Sequence, residues 1–207
     1  MDAGDWDRRY AAGELVWSTG PNELVAAEVG GLRPGRALDL GAGEGRNALW
    51  LAEQGWRVTA VDWSRVGLDK GRTLARGRRG TDVAWVHADV LTYDAGGSTQ
   101  DLSLLAYLQL EAEQRRTVVR RAFGALRSGG TFLLVAHDAS NLLEGTGGPR
   151  DPAVLCTAEG VLSDLDGERF EVERAERVSR RVQPDGEHRA EPGATAYDCL
   201  VRLVRTD

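Results

Sequence analysis

Three glycines at alternate positions are the residues best placed to hold a ligand against the main chain. Gly41, Gly43 and Gly45 follow the apolar run 37–40, with Ala42 between the first two, and a helical pattern comes next. Glycine adopts backbone conformations barred to other residues and lets a ligand approach closely. The first turn of the following helix offers unpaired N–H groups. The pattern therefore predicts a binding loop between a strand and a helix.

Acidic residues accompany three predicted strands in turn. Asp39 lies beside the glycine turn, Asp62 ends the second strand and Asp89 follows the third. Because the carboxyl ends of parallel strands meet at one edge of a sheet, we expect these carboxylates around one cleft. An acidic residue roughly 20 positions after such a turn is placed to bind a ribose. The sequence predicts a nucleoside ligand, and the acids Asp39 and Glu44 at the turn favour a cationic, phosphate-free one.

The elements that must position these residues alternate between strands and helices. We expect strands at 37–40, 56–61, 83–87, 101–108 and 131–136, helices at 47–54, 64–76, 111–126 and 157–165, and final strands at 170–182 and 195–204. The last two strands should pair antiparallel at the sheet edge. This order predicts an α/β fold, a three-layer Rossmann-like sandwich with a mostly parallel sheet and a C-terminal antiparallel strand pair.

Composition restricts the class of protein. With 207 residues and 42% hydrophobic content, the chain is expected to be one soluble domain without a signal peptide or membrane span, and hence cytoplasmic. The net charge of -6 argues against a broad nucleic-acid or anionic-membrane surface, although it does not exclude a local basic pocket. Cys156 and Cys199 have no metal-ligand spacing. We therefore expect no metal, no nucleic acid and no membrane among the partners.

The glycine turn and the acidic strand ends together resemble a known family. Residues 39–45 resemble the first signature of class I S-adenosylmethionine-dependent methyltransferases. Val61-Asp62 resembles their ribose-binding acidic residue, and Ala88-Asp89-Val90 resembles their adenine-contacting segment. The resemblance spans roughly residues 37–135, in the right order and spacing. It implies S-adenosylmethionine as the cofactor.

A closer likeness is to small bacterial proteins described as tellurite-resistance or thiopurine-methyltransferase-like. The segments that carry it are 6–10, 16–18 and 137–149. These segments are less specific than the glycine turn, and the likeness says little about the substrate.

The resemblance implies roles for the cofactor-binding residues. Asp62 should accept the ribose hydroxyls and Asp89 the adenine amino group, while Trp63 either stacks on adenine or is ordinary core. Arg46 opens a helix against its dipole, so we expect it either to reach a carboxylate of the cofactor or an anionic substrate, or to be simply exposed. The predicted set is Trp17, Asp39, Gly41, Ala42, Gly43, Gly45, Arg46, Asp62, Trp63, Asp89, Val90, Ala106 and Tyr107.

The methyl-acceptor side is expected around His137. This residue ends the fifth strand at the same edge, before the long loop 138–156, and an imidazole suits proton transfer at neutral pH. The alternative is a histidine that only holds the loop. Predicted substrate-binding residues are Trp6, Tyr10, Gln109 and Asn141. The aromatic leader is expected to form a lid, or else to pack a helix onto the sheet.

We therefore expect a single methyltransferase domain over 1–207, with a helical leader at 1–35, a cofactor-binding core at 36–136, and a substrate loop and hairpin at 137–207. The predicted reaction is methyl transfer from S-adenosylmethionine to a small-molecule acceptor, either a thiol, a chalcogen oxyanion, an amine or a hydroxyl, by a monomer or homodimer. The alternatives are a nicotinamide-dependent oxidoreductase and a non-catalytic S-adenosylmethionine-binding regulatory domain.

Overall fold

The computed structural model describes residues 3–13, 15–16, 19–78, 80–182 and 193–207. The strands are β1 (Arg36–Leu40), β2 (Arg57–Asp62), β3 (Val83–His87), β4 (Gln100–Ala106), β5 (Leu126–His137), β6 (Phe170–Arg181) and β7 (Thr195–Arg205). The α-helices are α1 (Ala3–Ala11), α2 (Glu23–Val29), α3 (Arg46–Glu53), α4 (Arg65–Arg76), α5 (Ala112–Gly124), α6 (Asn141–Glu144) and α7 (Ala158–Asp164). Across these described ranges, no helix is long and apolar enough to cross a membrane.

The strands form one sheet in the order β3-β2-β1-β4-β5-β7-β6. Strands β1 to β5 run parallel, whereas β7 is antiparallel to both β5 and β6. This confirms the predicted α/β sandwich with its C-terminal antiparallel pair. The strand order reverses between β1 and β4, which is where open parallel sheets bind ligands outside the strand ends.

Two apolar clusters cover the two faces of the sheet. One cluster contains Phe123 of α5 and Phe132 of β5, both fully buried, and the other packs α2 and α3 against the sheet through Val25 and Leu51. The apolar residues that recur on one face of α5 form a buried stripe. The central strands are covered on both sides, so their carboxyl ends are held rigidly.

The structure departs most from the sequence prediction at the start of β5 and in the loop 138–156. Strand β5 begins at Leu126, five residues earlier than expected, because Leu126 already pairs with Gln100 after α5 ends. The predicted loop 138–156 contains the short helix α6 and a 3₁₀ turn, Pro152–Val154. Asp138 stabilises the start of that segment, because its Oδ1 accepts hydrogen bonds from the Ser140 N–H and hydroxyl.

Candidate functional site

The glycine turn connects β1 to α3 at the reversal point of the sheet. Gly41, Gly43 and Gly45 have φ angles of 78°, 56° and 77°, the left-handed region that other residues adopt only with strain. The N–H groups of Gly41 and Ala42 donate to Val61 O at 2.9 and 3.1 Å. The turn is therefore fastened to the end of β2, which carries the acidic residue.

Asp62 is the carboxylate nearest the turn. Its Oδ2 accepts from the Gly43 N–H at 2.8 Å and its Oδ1 from the Ser64 N–H at 2.7 Å. Burial raises the pKa of Asp62, and these two hydrogen bonds oppose the rise. Because the Asp62 carboxylate already accepts the Gly43 N–H, the turn has fewer free N–H donors for a phosphate than a dinucleotide site would have.

Asp39 is more deeply enclosed. Burial, together with the charge of Asp62, raises the pKa of Asp39 to about 7, while Arg46 and the Ala48 N–H lower it. Its Oδ2 has no hydrogen-bond partner among the described residues. A buried carboxylate with an unpaired oxygen is costly unless a donor or a cation satisfies it. Asp39 therefore fits a ligand that carries positive charge or N–H donors.

Asp89 and its neighbours complete this edge of the sheet beyond β3. Asp89 is partly buried, and its Oδ1 accepts from the Leu91 N–H at 2.9 Å. Val90 is buried in the core at 7% exposure. Trp63 is partly exposed and its carbonyl oxygen contacts His87 Nε2 at 2.9 Å. The structure thus brings the acids of β1, β2 and β3 to one edge, as the spacing predicted.

The leader, here the described part of residues 3–16, packs across the glycine turn. Tyr10 is buried, and its hydroxyl lies where a Cβ on Gly43 would project. The Trp6 ring packs on Tyr10 with centroids 5.6 Å apart, and the Arg9 guanidinium lies 5.2 Å from the Trp6 ring. Tyr10 therefore lies against the cofactor loop rather than on the acceptor side. Trp17 lies outside the described residues.

Glu44 has a different role from the one expected. Its carboxylate accepts the Val16 N–H with both oxygens, at 3.0 and 3.2 Å, and contacts Lys70 Nζ at 3.1 Å. Lys70 also donates to the carbonyl oxygens of Tyr10 and Gly13. Glu44 thus fastens the leader to the turn, so the charge argument for a cationic ligand rests on Asp39.

On the other side of the reversal point, a polar cluster forms around Asp198 of β7. Asp198 is fully buried, and its Oδ2 accepts from Tyr107 Oη at 2.9 Å and from Arg180 Nε at 2.7 Å. His137 at the end of β5 approaches Asp198 Oδ1 with Nδ1 at 3.4 Å. Asp198 and Arg180 are not among the predicted site residues. The signal that could have found Asp198 is a carboxylate within the mostly apolar strand predicted at 195–204.

Tyr107 has an unusual backbone. It is the one non-glycine residue in the described part of the chain with a positive φ, 55°, and its N–H donates to Val135 O at 2.7 Å. Burial and the charge of Asp198 raise the pKa of Tyr107. Its side chain therefore stays a neutral hydrogen-bond donor to Asp198. Ala106, directly before it, is partly exposed at the end of β4.

The two remaining acceptor-side candidates differ. Asn141 is 3% exposed, donates to Gly147 O at 2.9 Å and accepts from the Tyr197 N–H at 2.7 Å. Both ends of its amide therefore hold the loop, which leaves Asn141 a structural residue here. Gln109 is partly exposed after β4 and remains available for a ligand.

A family model described as a methyltransferase domain matches residues 37–130 of the chain. The cypemycin N-terminal methyltransferase of a Streptomyces species is 35% identical over 139 residues, which cover 63% of this chain and 54% of that protein. The tRNA 5-carboxymethoxyuridine methyltransferase of Escherichia coli strain K12 is 30% identical over 123 residues, covering 58% and 47%. The chain spans about half the length of these curated relatives.

Solved structures have the same fold. A SAM-dependent methyltransferase from Methanosarcina mazei superposes with a TM-score of 0.68 at 17% identity, covering 90% of this chain and 99% of that chain. The magnesium protoporphyrin IX methyltransferase from Synechocystis PCC 6803, with bound SAM, gives a TM-score of 0.62 at 16% identity, covering 99% and 79%. These structures show the shared fold, and the methyltransferase-domain match with the bound SAM of the Synechocystis structure makes S-adenosylmethionine the cofactor to compare with this site.

The site residues fit that cofactor. Its ribose hydroxyls and adenine amino group are donors that suit Asp62 and Asp89, and its positive charge suits the unpaired oxygen of Asp39.

One prediction is wrong. We excluded nucleic acid as a partner and expected a small-molecule substrate, but a relative at 30% identity is named for methylating a tRNA nucleoside. The exclusion relied on the net charge of -6, and net charge averages over a surface on which a local basic patch can still bind nucleic acid.

Proposed function

We propose that this chain transfers a methyl group from S-adenosylmethionine to a nucleophilic acceptor, either a thiol, a chalcogen oxyanion, an amine or a hydroxyl. One observation carries the proposal: the glycine turn is hydrogen-bonded to Asp62 at 2.8 Å, beside the buried Asp39, at the reversal point of a parallel sheet. A nucleoside that carries a positive charge satisfies both carboxylates, because its ribose hydroxyls donate to Asp62 and its charge compensates Asp39.

The cofactor is held mainly by the first half of the chain. Asp62 accepts the ribose hydroxyls, Asp89 accepts the adenine amino group beside Val90, and Asp39 compensates positive charge. Arg46, whose charge already acts on Asp39, binds the carboxylate of the cofactor. This division assigns residues 36–136 to cofactor binding and 137–207 to the acceptor side, within one domain.

We expect the acceptor to bind beside His137 and the partly exposed Gln109, with the partly exposed ring of Trp6 as a further predicted contact. When bound, the cofactor supplies a methyl group on a sulfonium, a good leaving group, so the protein contributes mainly orientation and exclusion of water. His137 takes up a proton when the acceptor has one to lose. The closer likeness to tellurite-resistance and thiopurine-methyltransferase-like proteins stays a prediction.

The test is calorimetric titration with S-adenosylhomocysteine and, separately, with NAD. We expect S-adenosylhomocysteine to bind and NAD not to bind; the reverse result would reject the proposal in favour of an oxidoreductase. Asp62→Asn should weaken S-adenosylhomocysteine about tenfold or more, because a hydrogen bond to a charged group contributes about 1.5–3 kcal/mol.

Asp82→Asn is the matched control for that substitution. Asp82 precedes β3 at the opposite edge of the sheet, where it forms an exposed ion pair with Arg57. Its substitution should leave the affinity unchanged. Equal affinities for all three proteins would show that Asp62 does not bind the ribose.

A further inference from the structure

The acceptor side contains a set of polar residues that we call the Asp198 cluster: Tyr107, His137, Arg180 and Asp198. They come from four adjacent positions of the sheet, the ends of β4 and β5 and the strands β6 and β7. His137 and Asp198 are register partners across the antiparallel β5–β7 pair. Asp198 is 0% exposed, so its charge is compensated inside the protein.

The two oxygens of Asp198 are used differently. Oδ2 accepts from Tyr107 Oη at 2.9 Å and from Arg180 Nε at 2.7 Å. Oδ1 faces His137 Nδ1 at 3.4 Å, a charge contact rather than a formed hydrogen bond, and neither atom has a hydrogen-bond partner among the described residues. Burial opposes ionisation of Asp198, but the contacts with His137 and Arg180 outweigh it and lower the pKa of Asp198. The carboxylate is therefore charged and directed at the imidazole.

The imidazole of His137 is held on both sides. The Tyr107 ring packs against it at 4.8 Å between centroids, with the planes inclined by 58°. Gly148 lies close to the ring, because a Cβ there would be 2.9 Å from Nδ1. A side chain at position 148 would displace the ring. The remaining nitrogen, Nε2, forms no hydrogen bond within the part of the chain that the structure describes.

Stability alone does not account for this arrangement. Replacing a buried ion pair with apolar residues of similar volume is often neutral or stabilising. Tyr107 also adopts a left-handed backbone, which costs energy in a non-glycine residue and is found mainly at functional sites. The cluster is therefore better explained by an effect on His137.

We propose that Asp198 is a positioning residue that holds His137 in the tautomer with the proton on Nδ1, so that Nε2 accepts the proton of the methyl acceptor. The inference rests on the proposed methyl transfer. Arg180 and Tyr107 fix the Asp198 carboxylate, and Gly148 leaves room for the ring. The 3.4 Å separation is long for a hydrogen bond, but catalytic hydrogen bonds often tighten only when substrate is bound.

The step balances as follows. The acceptor atom donates a lone pair to the methyl carbon, the carbon–sulfur bond breaks with its electron pair passing to sulfur, and the proton of the acceptor passes to Nε2. The resulting imidazolium is stabilised by the Asp198 carboxylate until it releases the proton to water.

The tautomer is measured by long-range ¹H–¹⁵N correlation spectroscopy at pH 8 on protein labelled with ¹⁵N-histidine. The chain has three histidines, and His137→Gln assigns the signal. We expect the Nδ1–H tautomer for His137 in the wild type and its loss in Asp198→Asn. An Nε2–H tautomer in the wild type would overturn the proposal even if no variant folds.

Asp164→Asn is the matched control. Asp164 is 1% exposed and paired with Arg115 at 2.7 Å, but it lies in α7, away from the cluster. Its substitution should leave the His137 tautomer unchanged, and a change as large as that in Asp198→Asn would overturn the specific role of Asp198. Binding of S-adenosylhomocysteine is measured on the same samples. Its absence rejects the proposed function, whereas normal binding with the wrong tautomer rejects only the role of Asp198.

Discussion

The stability of the protein should depend on pH through Asp39. The substitution that tests this is Asp39→Asn, which keeps the shape of the side chain but removes its charge. Asp39 is 1% exposed, and burial together with the charge of Asp62 raises its pKa from the usual 3.8 to about 7. A raised pKa in the folded state stabilises the fold when the group is protonated. That stabilisation is complete at low pH and is lost as the pH rises through about 7.

The magnitude follows from linkage. Each unit of pKa shift corresponds to about 1.4 kcal/mol, so the full loss is of the order of 4 kcal/mol. Between pH 5 and pH 8 the free energy of unfolding should fall by about 2–3 kcal/mol because of Asp39 alone. In Asp39→Asn this part of the pH dependence is absent.

The assay is urea unfolding of both proteins at several values between pH 5 and pH 8, since the effects of groups that do not interact with Asp39 cancel in the difference. Asp101→Asn is the control. Burial would raise the pKa of Asp101, but hydrogen bonds from the Arg36 N–H and the Arg127 guanidinium lower it. Asp101 is therefore ionised throughout pH 5 to pH 8, and its contribution to the free energy of unfolding is constant over this range. A constant difference between wild type and Asp39→Asn would refute the reasoning.

Two further substitutions test the enclosure of the glycine turn. Glu44→Gln should lower the free energy of unfolding by about 1–3 kcal/mol and speed proteolysis of the leader, because the buried Glu44 pairs with Lys70. Urea unfolding measures the first effect and limited proteolysis the second. An unchanged rate of cleavage would contradict the role of Glu44. Gly45→Ala combines a left-handed backbone with overlap on the Trp85 ring and should cost about 2–4 kcal/mol in urea unfolding. Gly80→Ala has the same backbone but open space and should cost about 1–2 kcal/mol; equal losses would show that Trp85 does not restrict the turn.

Most of the architecture could be predicted because local pattern and global fold agree. The strand at 83–87 has the bounds expected from its apolar run, and the stripe on α5 is buried as its period predicts. The boundaries that differed depend on tertiary contacts. Leu126 becomes a strand residue because Gln100 pairs with it, and no local preference encodes that pairing.

The two sides of the site differ in how far sequence reasoning reaches. Asp39, Asp62 and Asp89 could be placed because each lies at or just beyond the carboxyl end of a strand, and parallel strands bring these ends together. Asp198 and Arg180 could not, because Asp198 reaches His137, and Arg180 reaches Asp198, through an antiparallel register set by strands far apart in sequence. The role of Glu44 was also beyond reach, since its partners Val16 and Lys70 come from distant segments.

The place of β7 in the sheet has a consequence for synthesis. Strand β7 lies between β5 and β6, although β6 precedes it in the chain. While the chain leaves the ribosome, β5 and β6 therefore have no shared neighbour, and the sheet closes only when residues 195–205 arrive. The same strand brings Asp198 to His137. A nascent chain thus has its five parallel strands and the glycine turn before β7, and Asp198 meets His137 only when β7 pairs with β5.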